Sequence, residues 1–262
     1  SKLLYNAAMG LGHLERGILS FLYTSGLDPR STAEIFELLG YDEESKQNHR
    51  EWYRDPEGRP ELPVGCKPEL LKSNRAALAA SMDAHSVRLA DIKSAVVFEE
   101  RYNDLLKQYE NKAKASWFFV AGHLRNIWDT YGHQAPYVVI DRQGGRRYYE
   151  EVLSDFFPRT VIGIVEDSRE FTRYRIIGEG RRMDVTLQTK SEQYHLPVAL
   201  ASMTAKYLRE LMMMRFHRFW LEKAPDVKPS FGYFADGRRF VEEIEPLLKE
   251  LGIEKSWFVR GW

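Results

Sequence analysis

Two acids in this chain stand where strands stop. Asp141 closes the apolar run Tyr137-Val138-Val139-Ile140. Glu192 follows the alternating segment 183–189, across Lys190-Ser191. In open α/β sheets, ligands bind outside the carboxyl ends of strands. Two carboxylates on adjacent strand ends suit a hard divalent cation. Mg2+ takes oxygen ligands, keeps several waters and is commonly held by one or two carboxylates plus a substrate phosphate. Such ions activate an attacking water and stabilise the leaving oxygen of an in-line phosphoryl displacement. Glu210 is a third candidate acid. Each acid also has a structural account: Asp141 as a helix N-cap, Glu192 as a surface-loop charge, and Glu210 as the partner of Lys206 four residues before it on a helix face.

The elements that must position these residues are legible as periodicities. Met183, Val185 and Leu187 alternate with polar residues, which predicts a half-buried strand, and 171–177 pairs with it as a hairpin around Gly178-Glu179-Gly180. A long helix is predicted from Leu196 to about Trp220, with Pro197 in its first turn and Leu200, Met203, Tyr207, Leu211 and Met214 as one buried stripe. His195 sits at its start. Earlier, 3–26 carries a helical stripe of Leu11, Leu14, Ile18, Leu19 and Leu22. Ser31, with Glu34, is placed to cap a short helix over 32–39.

Residues 41–67 are polar and broken by Pro56, Pro60 and Pro63, predicting a long surface excursion whose Trp52-Tyr53 either grips a ligand or, the favoured reading, pins the loop to the core. Helices are predicted over 68–84, 102–131, 148–156 and 239–251, and extended structure over 87–99. The apolar runs 137–140 and 161–165 read as buried strands, the first central with both faces covered. Helices alternating with short strands make this an α/β chain. No linker, repeat or low-complexity segment divides it, so 1–262 is expected to be a single domain.

Composition narrows the function classes. With 44% hydrophobic residues the chain can build a core. Lys plus Arg equals Asp plus Glu at 38 each, which argues against a general nucleic-acid-coating protein. Between Thr204 and Arg239, however, eight Lys/Arg face four acids, enough for a local basic face. The single Cys66 excludes an internal disulfide and a cysteine metal cluster and fits a cytoplasmic setting. No run approaches the roughly 20 apolar residues of a membrane span. The seven histidines show no zinc spacing, and no nucleophile elbow appears.

Taken together, these motifs resemble the type 2 ribonucleases H (ribonuclease HII/HIII-like), which cut the RNA strand of RNA–DNA hybrids. The resemblance rests on Ile140-Asp141, on Lys190-Ser191-Glu192, on Ala201-Ser202-Met203-Thr204-Ala205-Lys206-Tyr207-Leu208-Arg209-Glu210, and on Gly232-Tyr233-Phe234-Ala235-Asp236. Ser1-Lys2-Leu3 is similar to the end of the family's Asp-Ser-Lys-Lys-Leu element. The match spans most of the chain, and its order and spacing are more specific than any one piece.

The resemblance implies a ribonuclease H-like mixed sheet flanked by helices, here with the added hairpin and the 41–67 loop. It implies Mg2+ or Mn2+ as cofactor, with Asp141 and Glu192 as metal ligands and Asp141, Glu192 and Glu210 as catalytic acids. Lys2, Arg146, Lys190, Lys206, Arg209 and Tyr233 become substrate-binding residues. The partner would be an RNA–DNA hybrid or a ribonucleotide-containing duplex, with no membrane and no obligate protein partner. The cut would leave a 3′-hydroxyl and a 5′-phosphate. The family's first strand, with its Asp-Glu pair and Gly-rich turn, has no counterpart within 1–262. It is expected either upstream of Ser1 or lost, and in the latter case the chain would be a hybrid-binding module without activity. Glu210 also stands where the family has Asp.

Overall fold

The structure, a computed structural model, describes residues 10–40, 50–54, 60–143 and 146–261. Among these are eight α-helices and a four-stranded mixed sheet, so the chain is α/β. Contacts concentrate in two compact units. One takes the chain up to Arg101 and again from Ser202; the other is Tyr102–Ala201.

The first unit is helical. It holds α1 (Gly12–Thr24), α2 (Thr32–Leu39), α3 (Pro68–Ala84), most of α7 (Leu196–Lys223) and α8 (Phe234–Glu250). Ser31 caps α2, its side chain accepting the Glu34 N–H at 3.3 Å. The Glu34 carboxylate turns back to the Arg30 N–H at 2.8 Å, one residue upstream of the capping-box position. Trp52 and Tyr53 are buried. Trp52 packs edge-on against Phe258 with ring centroids 5.8 Å apart, and Phe258 stacks on Phe216 at 5.5 Å, so these aromatics anchor their segment as expected. The rest of 41–49 and 55–59 lies outside the described residues, as does the start of the predicted 3–26 helix. Residues 87–98 form no regular strand; one parallel bridge joins Gly40 and Ser94.

A charge lies inside this unit. Glu15 is fully buried on α1. Its carboxylate accepts the backbone N–H groups of Val64, Gly65 and Cys66 at 2.8, 2.7 and 2.8 Å and the Tyr207 hydroxyl of α7 at 2.9 Å. Burying a carboxylate is costly unless hydrogen bonds replace its water. Here four donors do so, and they tie α1, α7 and the 64–66 segment to one group. Gly65 and Gly12 lie so close that a Cβ on Gly12 would meet the Gly65 carbonyl oxygen at 2.6 Å. Burial and the Glu15 charge push the Cys66 thiol up to about 11, so it stays protonated.

The second unit carries the sheet: β1 (Tyr137–Asp141), β2 (Val161–Asp167), β3 (Phe171–Gly178) and β4 (Arg181–Gln188), in the order β1-β4-β3-β2. β1 runs parallel to β4, and the other neighbours are antiparallel. The hairpin closes on Glu179-Gly180, both left-handed at φ 51° and 70°, the two-residue turn whose twist matches the strands. Tyr174, Ile176, Met183, Val185 and Leu187 form one face. They pack against Trp117, Leu124 and Trp128 of α5 (Lys112–Tyr131), Val152 and Leu153 of α6 (Glu150–Phe156), and Phe157.

Three expectations are corrected. The helix predicted over 102–131 is two helices, α4 (Glu99–Tyr109) and α5. Glu110 turns left-handed at φ 49°, and Asn111 caps α5, its side chain accepting Ala113 N–H at 2.8 Å and Lys114 N–H at 3.1 Å. β1 is an edge strand among the described residues, not a central one: Val138 and Ile140 meet the core, while Tyr137 remains 52% exposed on the other face. β2 is the opposite edge and is largely exposed, with Val161 76% accessible.

The face away from the core is held by ion pairs. Arg175 grips Asp184 through two hydrogen bonds of 2.8 Å, and Arg182 adds a contact at 3.2 Å. Tyr137 accepts from Arg173 at 3.2 Å and from Thr186 at 2.9 Å.

Two stability predictions follow from these buried and paired charges. Glu15→Gln turns an acceptor into a donor facing N–H groups. It should cost about 1.5–3 kcal/mol, the range for hydrogen bonds to a charged group, read as a lowered Tm. The Asp184 carboxyl is lowered from 3.8 to about 2, chiefly by Arg175. A depressed folded pKa contributes stability above the unfolded value and loses it as pH falls through the folded one, here between about pH 4 and 2, with about 2 kcal/mol as the upper bound. The Tm deficit of Asp184→Asn should be full at pH 7 and shrink towards zero near pH 2.

Candidate functional site

β1 and β4 are parallel and in register, Ile140 opposite Leu187 and Asp141 opposite Gln188, so their chains leave the sheet at the same end. The Arg142 N–H extends the ladder by one bond, to the Gln188 carbonyl at 2.8 Å. After β4, Lys190 adopts the left-handed conformation at φ 54°. That conformation strains a residue with a Cβ. It turns the chain into a short 3-10 segment, Ser191–Gln193. Asp141 then receives Ser191 twice at one oxygen: Oδ1 accepts the Ser191 N–H and the Ser191 hydroxyl, each at 3.0 Å.

The structure therefore brings Asp141 against the Lys190-Ser191-Glu192 turn. Asp141 is exposed, Glu192 half-buried and Ser191 fully buried. The Asp141 Oδ2 has no hydrogen-bond partner among the described residues. His195 closes the turn, its Nε2 at 2.9 Å from the Gln188 side-chain oxygen, and its carbonyl accepts the Ala199 N–H as α7 begins.

The loop after Asp141 is anchored from within the core. The buried Tyr149 hydroxyl accepts the Gln143 N–H at 3.0 Å and donates to the Gln143 carbonyl at 3.2 Å. The Tyr149 N–H in turn donates to the Tyr174 hydroxyl at 2.9 Å. Arg146 lies over the Tyr149 ring, 5.7 Å from its centre. Arg147 is paired with Asp167 at 3.2 Å. Gly144 and Gly145 lie outside the described residues.

The remaining candidates form a group in the first unit. Glu210 is buried, and its Oε1 takes Lys206 at 2.9 Å and Arg209 at 2.7 Å. Arg209 also donates to the Phe231 carbonyl, and its guanidinium lies 5.6 Å from the Tyr233 ring centre. The Tyr233 ring is 65% exposed. Its turn is built by Asp236, whose Oδ2 accepts the Phe231 N–H at 2.7 Å and the Ser230 hydroxyl at 3.0 Å, while Gly232 supplies φ 72°. Arg239, 2.9 Å from Asp236, holds that carboxyl below the usual carboxylate range. His217 contacts the Ser230 carbonyl at 2.6 Å.

So Lys206, Arg209, Glu210 and Tyr233 come together in one unit, and Asp141, Lys190 and Glu192 in the other. Lys2 lies outside the described residues. Residue reading missed Ser191 as the contact that joins Asp141 to the second turn, and Tyr149 and Tyr174 as the supports of the loop. Ser191 carried a signal, since it stands between the two charges of a strand end. The tyrosines carried none beyond their apolar neighbours.

Two carboxylates on neighbouring strand ends, one with an oxygen that has no partner among the described residues, would suit an ion such as Mg2+ or Mn2+ that keeps its waters and is completed by a substrate phosphate. Among the described residues no group of three or more His, Cys, Asp or Glu side chains comes together, so the set does not fit a closed all-protein cage.

Asp141→Asn keeps the Oδ1 acceptor for Ser191, whereas Asp141→Ala loses it. Thermal melts should place Ala below wild type by about 0.5–2 kcal/mol, the range for lost caps, with Asn between them.

No protein-family model matches the chain, and no curated protein and no solved structure matches it.

Proposed function

We propose that this chain is the metal-dependent catalytic part of an endoribonuclease that hydrolyses the RNA strand of RNA–DNA hybrids, in the manner of the type 2 ribonucleases H. The observation that carries the reading is the double hydrogen bond from Ser191 to Asp141, which sets Glu192 beside the end of β1. Asp141 and Glu192 would hold Mg2+ or Mn2+, which when bound supplies an activated water and neutralises the leaving oxygen.

The protein's own part is positioning. Ser191 fixes one oxygen of Asp141 and leaves the other available. The exposed Lys190 side chain reaches for a backbone phosphate as a point charge. Arg146 on the pinned loop can do the same. Arg209 holds Tyr233 at an exposed turn, and a tyrosine there offers a flat face to a sugar or base. Glu210, bracketed by Lys206 and Arg209, sets the charge of that cluster.

A second reading, a hybrid-binding module without cleavage, is favoured by the same Ser191 contact, because it gives Asp141 a capping role sufficient to explain its position.

Cleavage of a labelled RNA–DNA hybrid by the full-length protein in Mg2+ or Mn2+ separates the two. The nuclease reading expects metal-dependent cuts that end in 3′-hydroxyls and fall to background in Asp141→Asn and Glu192→Gln, with hybrid affinity retained. It also expects Lys190→Ala to reduce the slope of log affinity against log salt by about one unit. Salt-sensitive binding with no metal-dependent turnover selects the binding module. Hybrid affinity indifferent to salt contradicts both.

A further inference from the structure

The exposed edge of the sheet has a feature that neither reading of the acids uses. β2 has β3 on one side and no described strand on the other. Its apolar residues face outward to an unusual degree: Val161 is 76% exposed and Val165 45%. Natural edges are commonly blunted by a central Lys, a Pro or an inward charge. From Val161 to Val165 this edge has none of these, and Gly163 lies at its middle. A Cβ at Gly163 would meet nothing within 4 Å, so the face of the sheet is open at this residue.

The segment is self-complementary when reversed. It reads Arg159-Thr160-Val161-Ile162-Gly163-Ile164-Val165-Glu166-Asp167. Set antiparallel to a copy of itself about Gly163, it places Ile162 opposite Ile164 and brings Val161 towards Val165. Apolar residues meet apolar ones, and the basic end at Arg159 approaches the acidic end at Glu166 and Asp167. Arg159 is exposed, with only a surface pair to Glu179 at 3.3 Å, so it is accessible to a second partner. Asp167 already accepts from Arg147 and Thr172, and its carboxyl is held below the usual range, so it presents a settled negative charge. The one protective device is a bulge between Ile164 and Glu166, which limits the regular ladder to the stretch around Gly163.

We infer that β2 is a self-association edge: two copies of this chain pair β2 against β2 about a two-fold axis at Gly163, joining their sheets into one. A two-fold contact of this kind is closed, because each copy uses the same patch, so it yields a dimer and not a fibre. The proposal does not rest on the nuclease reading, since no candidate site residue lies on β2.

Sedimentation equilibrium of the full-length protein over a concentration series tests it. The mass should rise from that of one chain to that of two and stop there. Val161→Lys, a change at an exposed side chain, should leave the Tm unchanged and abolish the rise. Under mild oxidation Gly163→Cys should give a covalent dimer, because the two copies of residue 163 face each other. Ile177→Cys should not, because that pair lies one strand further in on each side, about 14 Å apart across the sheet, and opposite Val161, so it is further apart still along the strands. A protein monomeric at every concentration overturns the inference. So does a dimer that survives Val161→Lys, or equal cross-linking at residues 163 and 177.

Discussion

The parallel pairing of β1 with β4 is the constraint on which the candidate site depends. Antiparallel strands would send the two chain exits to opposite ends of the sheet. Parallel strands in register send both to one end, and Asp141 stands opposite Gln188 as a result. What happens next is local. Lys190 bears the cost of a left-handed turn, and Ser191 spends both of its donors on one oxygen of Asp141. A strained residue beside a carboxylate with one oxygen unused among the described residues is an arrangement that packing alone does not require, and strain of this kind gathers where geometry matters.

Elsewhere three carboxylates each gather several partners. Among the described residues no cation pairs with Glu15, yet three N–H groups and one hydroxyl converge on it. Asp236 organises Ser230, Phe231 and Arg239 around a turn. Glu210 is shared by Lys206 and Arg209. The consequence for the candidate residues is rigidity. Tyr233 sits on a turn whose shape is set by Asp236 and a left-handed glycine, and Arg209 of α7 lies against its exposed ring.

What could be read in advance was whatever depends on near neighbours. Ser31 announces a helix start three residues before Glu34, Pro68 opens α3 at the expected residue, and Glu179-Gly180 is a turn that only left-handed residues close. The break at Glu110 was hidden because the apolar spacing of the 102–131 stretch continues through it, and the Asn111 cap falls on the polar face. β1 looked central and β2 buried because a run of Val and Ile reads the same at an edge. Only the pairing decides, and pairing is long-range. Glu15 was invisible for the same reason: its partners lie 49 to 51 and 192 residues along the chain. The meeting of Asp141 with the Lys190 turn was half legible. The sequence marked both strand ends, while the bond that joins them spans 50 residues and needed the sheet order.

The central claim is that these two strand ends hold a divalent ion for use on a nucleic-acid backbone. Mn2+ binding followed by electron paramagnetic resonance, with and without an RNA–DNA hybrid, tests it most directly. The account predicts uptake that tightens when hybrid is present and weakens in both Asp141→Asn and Glu192→Gln. Identical Mn2+ binding by wild type and both variants would contradict it, and Asp141 would then be the cap of a turn and nothing more.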